Sequence, residues 1–197
     1  LGDDDALYTM GIMYVNGYGV EKNIGEAIKC WTKASEYGNM DALFEIANLY
    51  YNGTDVDANK AEALKLWTQA AENNHAKSQY LMAALYARGD EGLKQSDDEA
   101  IKWLKKAAEN GYVDAIFDLA NTYATEGSAY YNISEAVRLH TMLAEYGDAR
   151  SQCELGTMYV VGQGVEVNYT EAAKWYKLSA AQEYPAAMFN LAIMYAS

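Results

Sequence analysis

A tyrosine returns every 36 or 37 residues along the whole chain, at Tyr14, Tyr50, Tyr86, Tyr123, Tyr159 and Tyr195. Aligned on it, six segments begin at Ala6, Ala42, Ser78, Ala115, Ser151 and Ala187. Self-similarity at a fixed period of this length is the signature of a stacked repeat array and leaves few other folds open. In every segment the tyrosine is ninth, the sixth residue is Gly or Ala (Gly11, Ala47, Ala83, Ala120, Gly156, Ala192), and the fifth is Met, Ile or Leu. Positions 1, 5, 6 and 9 share one side of a 3.6-residue helix, so each segment predicts an amphipathic helix A with the tyrosine in its core.

A second helix, B, follows in five copies. Five capping boxes stand in register: Asn23–Glu26, Asn59–Glu62, Ser96–Glu99, Asn132–Glu135 and Asn168–Glu171. In such a box the first side chain accepts from an orphan amide, and the glutamate reaches back to the N–H of the cap residue. An alanine (Ala27, Ala63, Ala100, Ala136, Ala172) precedes an aromatic in four copies: Trp31, Trp67, Trp103 and the pair Trp175–Tyr176. His140 takes that column in the fourth, so it is expected in the core; His75, in a turn, is expected to be solvated. Gly38, Gly111 and Gly147 suit left-handed helix ends, with Asn74 as a permitted substitute. Glu183 fills that place before Pro185, so a different turn is expected there.

The glycine pairs in GYGV (17–20) and GQGV (162–165) then belong to turns between helices A and B. A phosphate-binding loop would need its glycines after a buried strand. Alanine and charged helix formers dominate over valine, so no such strand is expected.

These residues resemble the Sel1-like repeats, relatives of the tetratricopeptide repeat. The match is A-x-x-x-L-G-x-x-Y-x-x-G-x-G-V, a helix-B alanine, Trp-Tyr, then Ala-Ala and Gly, best kept in copies one and five. The resemblance implies an all-α, right-handed superhelical solenoid, a scaffold or adaptor role, no active site and no cofactor. The expected organisation is one solenoid domain over 1–197, with full repeats at 6–41, 42–77, 78–114, 115–150 and 151–186 and helix A of a sixth at 187–197. Gly2 reads as the cap of a missing helix B and the last helix A lacks its partner. A piece of a longer array, prone to end-to-end self-association, is therefore expected.

Chemistry is sparse. The net charge of −13 disfavours nucleic acid as a partner, and no apolar run reaches the ~20 residues of a membrane helix. Cys30 and Cys153 lie four repeats apart, at roughly 10 Å per packed helix, too far for a disulfide. The acidic runs Asp3–Asp4–Asp5 and Asp97–Asp98–Glu99 open helices, where carboxylates complement the dipole, so no metal is expected. Three glycosylation sequons (Asn52, Asn132, Asn168) leave localisation open between an exported or periplasmic bacterial protein and the lumen of the endoplasmic reticulum.

Positions 4, 7 and 11 of helix A point away from the predicted core stripe, and tetratricopeptide relatives turn that side inward. It carries Glu45, Asn48, Asn52, Arg88, Asp118, Asn121, Thr125 and Glu154. Asparagines can donate to and accept from an extended peptide backbone, and the carboxylates favour basic segments. These eight residues are the candidate contacts for a partner protein. The alternative is an enzyme-associated or carbohydrate-binding module of the bacterial envelope.

Overall fold

The computed structural model describes residues 4–196. Among them are eleven α-helices and no strand: α1 (Asp4–Asn16), α2 (Ile24–Glu36), α3 (Met40–Asn52), α4 (Lys60–Glu72), α5 (Ala76–Arg88), α6 (Asp97–Glu109), α7 (Val113–Ala124), α8 (Ile133–Glu145), α9 (Ala149–Val161), α10 (Tyr169–Ala180) and α11 (Pro185–Ala196). Odd-numbered helices are helices A and even-numbered ones helices B. The chain forms two compact units, one ending at Tyr112 and the other beginning at Val113. In the first, α1–α2, α3–α4 and α5–α6 pair within repeats, and α2–α3 and α4–α5 pair between them. In the second, α7–α8 and α9–α10 pair within repeats, while α8–α9 and α10–α11 join successive ones.

Each helix B starts at its predicted cap. The side-chain oxygens of Asn23, Asn59, Ser96, Asn132 and Asn168 accept from the N–H groups of Glu26, Glu62, Glu99, Glu135 and Glu171 at 3.0–3.3 Å. The second half of the expected box is absent. The cap N–H groups donate instead to the carbonyls of Tyr14, Tyr50, Tyr86, Tyr123 and Tyr159 at 2.8–3.0 Å. Freed from that duty, each glutamate pairs with the cation three residues on: Lys29, Lys65, Lys102, Arg138 or Lys174.

The tyrosine column is also shallower than its periodicity implies. Tyr14, Tyr50, Tyr86, Tyr123 and Tyr159 are half-buried, and Tyr195 is exposed. The deep residue is one position earlier, at Leu49, Leu85 and Met158. In each unit, the inner helices A meet two helices B, their own and the preceding one, so their buried stripe widens to positions 2 and 8.

Position 2 carries two buried polar seams. Gln79 donates to the Ala71 carbonyl and accepts from Asn110; Gln152 donates to the Ala144 carbonyl and accepts from Gln182. Both glutamines are thereby satisfied in an apolar interior.

Turns follow the glycines. Gly17 and Gly19 both have positive φ, as do Gly162 and Gly164, while Asp55 and Glu91 take the same conformation in the second and third copies. Glu183 was expected to change the last B-to-A turn, yet it too adopts φ 60°. The closing Tyr184 N–H to Ser179 carbonyl bond survives at 3.4 Å, against 2.9–3.0 Å in the other four turns. Asp4 and Asp5 lie in the first turn of α1, and Asp97, Asp98 and Glu99 in that of α6. Gly2 and Asp3 lie outside the described residues.

Candidate partner-binding face

The helix-A face is built around one recurring pair: the residue at position 6 and the helix-B ring twenty residues later. In copy one a Cβ on Gly11 would run into the Trp31 indole. Because it has none, the indole lies against the α1 backbone and donates to the Tyr8 carbonyl at 3.0 Å. In copy two the methyl of Ala47 occupies that space, and the Trp67 indole donates to Asn48 Oδ1 at 3.2 Å instead. In copy five the Tyr176 ring lies where a Gly156 Cβ would sit, and its hydroxyl meets Thr157 Oγ1 at 2.9 Å. Copy three has alanine at both places, Ala83 and Ala84, and the buried Trp103 Nε1 has no hydrogen-bond partner.

Copy four replaces the ring by His140. It is 1% exposed, stands edge-on to Phe117 at 5.6 Å between centroids, and its Nδ1 has no partner. Burial pushes its pKa down to about 4, with the Asp148 carboxylate offsetting part of the effect. It is a neutral core residue, as its column implies. His75 departs from expectation. It is half-buried, with Nδ1 2.7 Å from Ser78 Oγ, Nε2 3.1 Å from Asp41 and its ring against Phe44. As the residue just before α5, it turns inward to pack rather than outward to water.

The candidate contacts divide between the units. In the first, Glu45 and Asn48 are half-buried and Asn52 and Arg88 exposed. Asn48 is not a free amide: besides accepting from Trp67 it donates to Glu45 at 3.3 Å. Its type was legible, but its commitment to an indole nineteen residues away was not. Arg88 pairs with Asp90 at 2.7 Å. In the second unit, Asp118, Asn121 and Glu154 are half-buried and Thr125 is exposed. The Thr125 hydroxyl donates to the Asn121 carbonyl. Burial alone raises the Glu154 carboxyl above its ordinary range.

On the opposite surface each helix B carries one short-range ion pair. Lys29, Lys65, Lys102, Arg138 and Lys174 face the glutamates three residues before them at 2.6–3.2 Å. Both cysteines are buried free thiols, and burial pushes Cys153 up to about 11, so neither is an activated nucleophile. Among the described residues no group of His, Cys, Asp or Glu is placed to hold a metal, and no helix is long and apolar enough to cross a membrane.

The Sel1 repeat family model matches residues 4–39, 41–75, 76–112, 149–184 and 185–197. The chain belongs to the Sel1 repeat family. The matched stretches omit 113–148, the copy that has His140 in place of the aromatic and EGSAY in place of a Gly-x-Gly turn.

Solved Sel1-repeat structures carry the same fold. The c5321 protective antigen of uropathogenic Escherichia coli superposes with a TM-score of 0.82 at 31% identity, covering 96% of this chain and 40% of that one. A Sel1 repeat protein from Oxalobacter formigenes gives 0.79 at 33% identity, over 99% and 79% of the two chains. The Arabidopsis thaliana F-box protein At1g70590 is 34% identical over 102 residues, 52% of this chain and 27% of its own length. DAP3-binding cell death enhancer 1 of Rattus norvegicus is 45% identical over 38 residues, 19% of this chain and 8% of the relative. The chain thus spans well under half of these curated relatives. The fold is an all-α solenoid of helix-turn-helix repeats, and Sel1 repeats are protein-binding scaffolds, typically without catalysis.

Proposed function

We propose that this Sel1-repeat chain holds an extended or helical segment of a partner protein against its helices A. The contacts are Glu45, Asn48, Asn52 and Arg88 in the first unit, and Asp118, Asn121, Thr125 and Glu154 in the second. The carrying observation is the contrast between the two surfaces. Each helix B ties its first-turn glutamate to the cation three residues on, and exposed pairs of that kind contribute little to binding. The helix-A face keeps half-buried polar groups instead, including Glu154, which burial raises with no compensating cation. A basic side chain of a partner would supply that charge, in keeping with a net charge of −13. One relative is itself named for binding a protein, DAP3.

The carbohydrate alternative would want exposed aromatic planes on this face. Tyr18, Tyr37, Tyr131, Tyr146, Tyr169 and Tyr195 are exposed, but they sit in turns or at helix ends, and the exposed ring of Phe189 lies on α11, away from the eight candidate contacts. The test places a photo-crosslinking residue at Asn52 or Thr125, and in parallel at Lys65 or Lys174. A partner protein should be captured from the first pair of positions. Capture from the helix-B positions alone would move the site to the other surface.

A further inference from the structure

The helix α11 is apolar on every side. Pro185–Ala196 carries no charged side chain, and Asn190 donates to Cys153 Sγ at 3.8 Å on the packed side. A helix apolar all round belongs in an interior. Yet α11 packs against α10 through Ala187, Leu191 and Met194 and leaves the opposite half of its circumference in water. Phe189 is 66% exposed and Tyr195 68%, and Met188 and Ile193 are about half exposed. In copy two the same columns are closed: Leu43 and Phe44, in the places of Met188 and Phe189, are 5% and 6% exposed. The two open rings alone leave roughly 200–300 Å² in water. With Met188 and Ile193 the face reaches the few hundred Å² at which an apolar patch marks an interaction site.

We infer that this face is covered by α11 of a second copy of the chain, in an antiparallel pair about a twofold axis. In such a pair residue i meets j while j meets i. The exposed side of α11 suits that rule, because each large residue finds a small or flexible one at the twofold position. With the axis midway between Phe189 and Ala192, each phenyl ring lands on the partner's Ala192, where an exposed methyl leaves room. Ile193 then falls beside the partner's Ala186, and Met188 beside the partner's Tyr195 as a thioether–aromatic contact. Forming the pair buries no charge from α11. At its rim, Glu183 stands just before the helix, and Lys177 lies over the Tyr195 ring at 5.7 Å. Antiparallel pairing thus brings the cationic end of each copy to the acidic end of the other. Doubled across the axis, the face stays near or below the ~1,200 Å² of a standard interface, which suits a weak, reversible dimer. The contact goes beyond the helix-A face and does not depend on it, since none of the eight candidate contacts lies on α11. It narrows the end-to-end association expected from the sequence to a twofold contact through one helix.

Sedimentation equilibrium of the full chain from about 5 to 500 μM, the range of a weak interface, tests the pairing. The wild type should pass from monomer to dimer across that range and form nothing larger. Phe189→Glu and Ala192→Lys each put an unpaired charge into the contact and should weaken dimerisation by about ten-fold or more. Both positions are exposed, so helix content and melting temperature should stay those of the wild type. An equimolar mixture of the two variants should dimerise again. There the new carboxylate of one copy meets the new ammonium of the other, while the second site keeps Phe189 on Ala192. A chain that stays monomeric leaves the face to a partner of another kind and overturns the proposal. Dimers that survive both variants, or a mixture that associates no better than its components, overturn the twofold contact through α11.

Discussion

The main-chain N–H of Asn59 donates to the carbonyl of Tyr50 at 2.8 Å, tying the start of α4 to the end of α3. The same bond joins cap and ninth-position tyrosine in all five full copies. It spends one donor of each helix-B start on the neighbouring helix A, so each hairpin is closed by backbone as well as by packing. The bond needs the tyrosine carbonyl, which any residue supplies; the ring beside it contributes a half-buried surface.

The division of labour at the caps is testable. Asn59→Ala removes the acceptor for the Glu62 N–H and should cost about 1 kcal/mol. Glu62→Ala leaves both cap bonds intact and loses only an exposed pair with Lys65, so it should cost a few tenths, about 0.3–0.5 kcal/mol. Urea melts of the two variants decide the point. Equal losses would restore the reciprocal box that the Tyr50 carbonyl displaces.

Helix propensity alone says that Gly11→Ala stabilises α1 by about 1 kcal/mol. The Trp31 indole occupies the space of the new methyl, so overpacking of about 1–3 kcal/mol and loss of the bond to Tyr8 should outweigh that gain. The expected result is a lower melting temperature for Gly11→Ala. A rise would mean that the indole moves aside freely.

The period, the helix pairing and the caps were legible because they depend on residue types at fixed spacing. What escaped depends on partners that spacing does not name. The destination of the capping glutamates turned on a carbonyl nine or ten residues before the cap. Tyr50 and Leu49 sit 100° apart on one helix, and only the presence of two neighbouring helices B decides that the leucine is the deeper. His75 looked solvated because it lies in a turn, yet Ser78, Asp41 and Phe44 all draw it inward. The candidate face was legible as a set of polar positions. That Asn48 already serves Trp67 could be read only from the constant spacing between position 7 and the ring, together with the missing Cβ in copy one.

His140 makes stability fall with acid. Its folded pKa, about 4, lies below the 6.5 of an exposed histidine, so the unfolded chain binds a proton that the folded chain refuses. Its contribution is complete above about pH 6.5 and is lost as pH falls from there toward 4. Between neutral pH and about pH 5 the loss should be about 2 kcal/mol. His140→Phe removes the titration, so the stability difference between wild type and variant should shift by that amount over the window. A difference that stays constant with pH would mean that His140 is accessible to protons in the fold.

Hydrogen–deuterium exchange on the chain with a captured partner bound tests the central claim most directly. With the binding face on helices A as proposed, protection should rise along α3 and α5 in the first unit and along α7 and α9 in the second. Exchange at the outer turns of α4, α6, α8 and α10 should stay as it is in the free chain. Protection confined to those helices B, with α3, α5, α7 and α9 unchanged, would contradict the account.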